Sequence, residues 1–169
     1  MSDALAPDGH FEVPATESHG AYAWNQTVDE VNVYVRCEVG TVAKKVRCVI
    51  RPSHVRLVAA SVAREGEEVT LLDSDTVESL KPDESFWTLD SAAGSVHLTL
   101  QKAQEGKSWP GVFRGHGGDL DGAARESEQK RLLLERFQLE HPGFDFSGAE
   151  INGAVPDAST FMGGFNRPQ

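Results

Sequence analysis

The groups in this 169-residue chain that could do chemistry are two cysteines, six histidines, 26 acidic residues and 16 basic ones. Cys37 and Cys48 are separated by ten residues, and neither has a Cys or His two to four positions away. A structural zinc site needs that spacing, so no metal ligand is assigned and both thiols read as small core residues. The histidines show no His-Glu-x-x-His, and no Gly-x-Ser-x-Gly elbow is present. His97 falls on the polar parity of its run and His54 in a turn, so both read as exposed. Gly115-His116-Gly117-Gly118 lacks the Gly-Lys-Ser/Thr ending of a phosphate loop and reads as linker. Glu65, Glu67, Glu68 and Glu84 lie among other acids in turn-like stretches, where solvation explains them. The residues therefore assign no catalytic group and no cofactor, and the chain reads as a non-enzyme.

The charges are more informative. Six bases against the single acid Glu38 fall in residues 36–56, and Lys44, Lys45, Arg47, Arg51 and Arg56 form the candidate partner-binding set. Nine acids against the single base Lys81 follow in residues 65–90. Either the domain has a basic side and an acidic side, or these are two ordinary solvated faces. Tyr34 is the one aromatic near the basic set, thin support for nucleic-acid stacking, whereas an acidic protein surface fits the patch. The net charge of −10 argues against binding of the whole chain to nucleic acid or anionic membrane. No apolar run approaches the roughly 18 residues of a spanning helix, and the first residues lack the basic start of a secretory signal. Two cysteines make no disulfide framework, which points to a reducing cytosol.

The elements that must position these groups are short. Val31, Val33, Val35 and Cys37 share one parity, as do Val46, Cys48 and Ile50, then Val55, Leu57 and Ala59, then Val96, Leu98 and Leu100. Period-2 runs of this length predict antiparallel strands with one wet face. With short strands at 22–24 and near 77–80, seven or eight are expected, without a long helix between them. The predicted fold is all-β, an antiparallel β-sandwich over residues 21–113 with a C-terminal α-helix. Trp87 and Leu89 are predicted in its core, with Trp24 at least partly buried. Residues 1–20 read as a disordered acidic arm and 114–120 as a Gly-rich linker.

Asp121 can cap a helix over 121–141, which Pro142-Gly143 ends. Glu126 and Lys130 are spaced to support it. Leu132, Leu133 and Leu134 span an arc of about 200°, wider than one contact usually buries, and Phe137 adds to it. Either this half meets two surfaces, such as the sandwich and a second copy in a homodimer, or it docks with one Leu exposed. In the tail, 142–169, Phe144 and Phe146 are expected to contact a client, a second protomer or the protein itself.

Tyr22-Ala23-Trp24-Asn25-Gln26-Thr27, Asp29-Glu30-Val31, Ser53-His54-Val55, Glu84-Ser85-Phe86-Trp87-Thr88-Leu89 and the later Trp109 resemble, in order and spacing, the CS domain of NudC-type proteins. Pro142-Gly143-Phe144-Asp145-Phe146-Ser147-Gly148-Ala149-Glu150-Ile151 is similar to a tail in the same family. The resemblance implies a seven-stranded CS β-sandwich of the heat-shock co-chaperone kind. It implies a non-enzymatic role in folding or stabilising clients, among them β-propellers and dynein regulators, with heat-shock protein 90 as partner. An adaptor for motor-complex components without chaperone activity is the alternative. The expected location is the cytoplasm, with cytoskeletal or centrosomal association left open.

Overall fold

The computed structural model describes residues 10–143. The chain divides into two compact units, Met1–Asp119 and Leu120–Gln169. The first is a sandwich of eight strands: β1 (Phe11–Val13), β2 (Tyr22–Gln26), β3 (Glu30–Arg36), β4 (Val46–Arg51), β5 (His54–Ala60), β6 (Glu68–Asp75), β7 (Phe86–Asp90) and β8 (Ser95–Gln101). Five strands form one sheet in the order β1-β2-β3-β8-β7, and three form the other in the order β4-β5-β6. Each pairing is antiparallel.

The period-2 pattern sets the register. Cross-strand partners share a face, so Trp24, Val33, Leu98 and Trp87 form one inward row. Tyr22, Val35, Val96 and Leu89 form the next. Opposite them the small sheet turns in Val46 with Ala59, Cys48 with Leu57 and Leu72, and Ile50 with Val55. Trp24, Val33, Val35, Leu57, Leu72, Val96 and Leu98 are fully buried. Between Leu57 and Val58 the register shifts, and Leu71 is the extra residue on β6. Two glycines are required by this packing. Gly94 turns the β7–β8 hairpin at φ +69°, with the Cys37 carbonyl 2.7 Å from where a Cβ would sit. Gly118 lies flat on Val13, whose methyl is 2.6 Å from the same position.

Four expectations need correction. Within the predicted disordered arm, Phe11–Val13 pairs with β2, because Phe11 and Val13 are the alternating apolar residues an edge strand needs. Residues near 77–80 make bridges only, Leu80 to Lys102 beside Thr76 to Phe113, rather than a strand. The Gly-rich segment expected as linker belongs to the sandwich up to Asp119, with the Arg114 N–H on the Asp75 carbonyl and the His116 ring between Tyr22 and Ser74. Trp87 and Leu89 face inward but are half-buried, because β7 is an edge strand. The fully enclosed indoles are Trp24 and Trp109.

The second unit contains α1 (Gly122–Glu140). Asp121 caps it, its Oδ1 accepting from the Ala124 N–H at 2.9 Å. The expected Glu126–Lys130 pair is present at 3.2 Å, and Arg131 bridges Glu128 and Glu135. Of the three successive leucines Leu132 is buried, Leu134 half-buried and Leu133 exposed, while Phe137 is half-buried. Phe144 and Phe146 lie outside the described residues.

Candidate functional site

The sandwich presents two outer faces of opposite character. On the small sheet Arg47, Val49 and Arg51 of β4 point outward beside His54 and Arg56 of β5. The expected separation into a basic and an acidic side gives way to interleaving, since β6 is the direct neighbour of β5. Arg47 reaches Glu68 at 2.8 Å, and Arg56 reaches Asp73 at 3.6 Å. His54 lies 2.7 Å from both Asp75 and Asp73, which hold its pKa above the ordinary imidazole value. Lys44 and Lys45 sit in a short 3-10 turn, Ala43–Lys45, that leads into β4. Among the described residues Lys44, Lys45 and Arg51 have no carboxylate within ion-pair range. The five candidate cations thus share one face and its entry, two of them spent on acids of β6.

The middle of the large sheet's outer face carries no charged residue, while Glu12, Glu30, Arg36 and Asp90 stand at its margins. Ala23, Tyr34, His97 and Thr88 form one outward row, and Asn25, Asn32, Thr99 and Phe86 the next. Tyr34 and His97 stack with centroids 4.2 Å apart, and His10 meets the Tyr34 edge at 5.0 Å. The His97 Nε2 lies 2.9 Å from Asn32 Oδ1, and the Asn32 amide donates to Asn25. Burial in this stack pushes the His97 pKa down. His97 is therefore half-buried rather than exposed, held by Tyr34 on the neighbouring strand. Phe86, 54% exposed, closes the row at the sheet edge.

Two polar constructions hold the frame. His116, expected in a linker, joins the sheets: its Nδ1 lies 2.8 Å from the hydroxyl of Tyr22 on β2, and its Nε2 2.7 Å from that of Ser74 on β6. The buried His19 ring stacks on it at 3.8 Å. Burial and this second imidazole push the His116 pKa down to about 4. At the end of β2 the Gln26 amide exchanges hydrogen bonds with the Trp109 backbone. The fully buried Lys102 ammonium donates to Gln26 Oε1, Thr27 O and Lys107 O at 2.8–2.9 Å. These groups fasten loops. Their signal in the sequence is slight, a Gln ending β2 and a Lys just past the end of β8.

Cys37 and Cys48 are half-buried free thiols, and burial pushes Cys48 up to about 11. A thiol held protonated is a poor nucleophile and metal ligand. Among the described residues no three His, Cys, Asp or Glu side chains gather as a metal site. No helix among them is long and apolar enough to cross a membrane. Beside β4 a cleft of about 310 Å³ opens between Val42, Val62, Lys45 and Glu65. Glu38 holds its wall by accepting from Ser61 Oγ and from the Val62 and Ala63 N–H groups, which lower its pKa.

A sandwich of this topology, with a fully buried Trp24 on the second strand of the large sheet, defines a CS-type module. A family model described as the CS domain matches residues 20–102. The solution structure of the CS domain of human KIAA1068 protein aligns with a TM-score of 0.53 and 21% identity, covering 72% of this chain and 90% of that one. Human NudC domain-containing protein 2 is 36% identical over 131 residues, covering 77% of this chain and 78% of the relative. The nuclear movement protein of Schizosaccharomyces pombe is 26% identical over 155 residues, covering 75% and 90%. The chain belongs to the NudC family of CS-domain proteins.

Proposed function

We propose that this protein is a non-enzymatic co-chaperone that binds heat-shock protein 90 and client proteins in the cytoplasm and supports their folding or stability. β-propellers and regulators of dynein are the client classes. The observation that carries this reading is the uncharged aromatic–amide face of Tyr34, His97, Phe86, Asn25 and Asn32. Interface cores are depleted of charge and enriched in aromatic residues, and their contact energy concentrates in a few such side chains. Lys44 and Lys45 at the entry to β4, with Arg47, Arg51 and Arg56 on the small sheet's outer face, steer an acidic partner, a contribution that salt weakens. The leucines of α1 and the tail residues Phe144 and Phe146 supply apolar contact to a client or a second protomer.

Titration of heat-shock protein 90 tests the reading. Tyr34→Ala with Phe86→Ala is expected to weaken binding by about tenfold or more, and reversing charge at Lys44 and Lys45 to slow association at low salt. No binding by the unaltered chain overturns the co-chaperone reading. Equal affinity in the Tyr34/Phe86 variant overturns the face. An adaptor for motor-complex components, with no effect on client aggregation, is the second reading, favoured by relatives named as nuclear movement proteins. An aggregation-suppression assay on a heat-labile client separates the two.

A further inference from the structure

The sheets of the sandwich are unequal, five strands over three. The small sheet therefore leaves part of the large sheet's inner face without a counterpart. At the β6 edge the shortfall is made up by loops. The Gly20 N–H donates to the Leu71 carbonyl and the Arg114 N–H to that of Asp75, Thr76 bridges to Phe113, and His116 ties Tyr22 to Ser74. Because β6 stands at the β2 end, β4 lies toward the β8–β7 end. The β3–β4 connection crosses there, its Cys37 and Gly40 N–H groups on the carbonyls of Gly94 and Ser91.

No described residue plays the corresponding part at β4. The backbone of residues 47–51 hydrogen-bonds only within the ladder to β5. Cys48 and Ile50, which face inward from β4, are half-buried, as are Trp87 and Leu89 on β7. An unpaired edge beside partly covered apolar residues is a template for strand addition. We infer that an extended segment of a partner protein adds to β4 as a fourth strand of the small sheet and closes the sandwich over Trp87 and Leu89.

The charges state the chemistry of that segment. Lys44 and Lys45 precede β4, Arg51 ends it, and none of the three has a carboxylate in range among the described residues. The complementary strand carries apolar residues at alternate positions and acidic residues at its ends. A second copy of β4 is the wrong occupant, because antiparallel self-pairing sets Arg47 and Arg51 against each other. Arg51, which opposes that pairing, joins Lys44 and Lys45 in selecting an acidic strand. This surface is separate from the aromatic face and does not depend on heat-shock protein 90 being the partner.

The probe is a synthetic peptide of alternating valine and threonine with aspartates at both ends, added to the full chain. Alternate amides of β4 are expected to gain protection from hydrogen exchange while those of β6 do not change. Trp87 is the half-exposed indole of three, so fluorescence should shift to the blue, and Trp87→Phe should abolish the shift. A lysine-ended peptide should bind about tenfold more weakly or worse, and Lys44→Glu with Lys45→Glu should remove the difference between the two peptides. Because those two lysines lie outside the core, that variant keeps the fold. Unchanged β4 exchange at saturating peptide, or equal binding of both peptides to the unaltered chain, overturns the inference. Loss of heat-shock protein 90 binding with β4 protection intact supports strand addition and counts only against the co-chaperone reading.

Discussion

Along β6 the sandwich edge is covered: Leu71 and Asp75 receive backbone N–H groups from Gly20 and Arg114, and His116 hydrogen-bonds to a strand of each sheet. Along β4 no described residue does any of this, and the inward-facing Cys48 and Ile50 stay half in water. Both edges belong to antiparallel strands, of six residues in β4 and eight in β6. The difference lies in what flanks them. Residues 10–20 and 103–119 return to the β2–β6 end, bringing His19, Trp109, Phe113 and His116, whereas the β3–β4 connection stays at the hairpin end. Among the described residues, the loops that cover one edge have no equivalent at the other.

The largest expected effect separates the two tryptophan environments. Trp24→Ala removes a fully buried indole tilted against the Phe11 ring at 5.0 Å and should cost about 3–5 kcal/mol, enough to unfold a marginal domain. Trp87→Ala on the open edge should cost about 1–2 kcal/mol, because its ring keeps surface in water in both states. Equal losses in urea denaturation would erase the contrast. Next in size is Lys102→Met, which deprives the Thr27 and Lys107 carbonyls of their donor beneath Trp109 and should cost about 2–3 kcal/mol. Near-native stability would show that water takes over the ammonium's role.

His116→Phe keeps a ring against His19 but drops the bonds to Tyr22 and Ser74, at about 1–2 kcal/mol at neutral pH. It should also change the pH response. Unfolded His116 takes up a proton near the ordinary value of 6.5, while the folded ring resists until about 4. The unfolded state therefore binds more protons in that window, and stability present above pH 6.5 falls away toward pH 4. His54 runs the other way. Its raised pKa adds stability that is complete below pH 6.5 and is lost as pH rises through the folded value. Acid sensitivity in His116→Phe equal to that of the parent would refute the assignment to the covered edge.

The inward rows were readable from sequence because period 2 is a property of the backbone: each of Val31, Val33, Val35, Val96, Leu98 and Leu100 is fully buried as its parity requires. Edge and centre were not readable. Trp87 sits in as apolar a run as Trp24, and only the sheet order makes it an edge residue. The packed loops were hidden for a related reason. Gly115, Gly117 and Gly118 have linker composition, and the contacts that order them, His116 to Tyr22 and Ser74, span more than forty residues of sequence. In the candidate binding set the five cations were visible, but their interleaving with β6 was not. Strand order brings Glu68 and Asp73 beside Arg47 and Arg56. The aromatic face was within reach: Tyr34 and His97 both fall on the polar parity of apolar strands, and pairing β3 with β8 stacks them.

The smallest expected effect concerns the charges on the small sheet's outer face. Arg47 and Glu68 are 60% and 53% exposed at 2.8 Å. An exposed pair of this kind couples by about 0.2–1 kcal/mol, less in high salt. A double-mutant cycle with Arg47→Ala and Glu68→Ala should return a value in that range, with each single change nearly neutral in stability. The charges then serve recognition more than cohesion, and Arg47 can exchange Glu68 for a partner's carboxylate at little cost. A coupling well above 1 kcal/mol would mean that β4 is locked to its own sheet, and the open edge would no longer differ from the covered one in what it has free to offer.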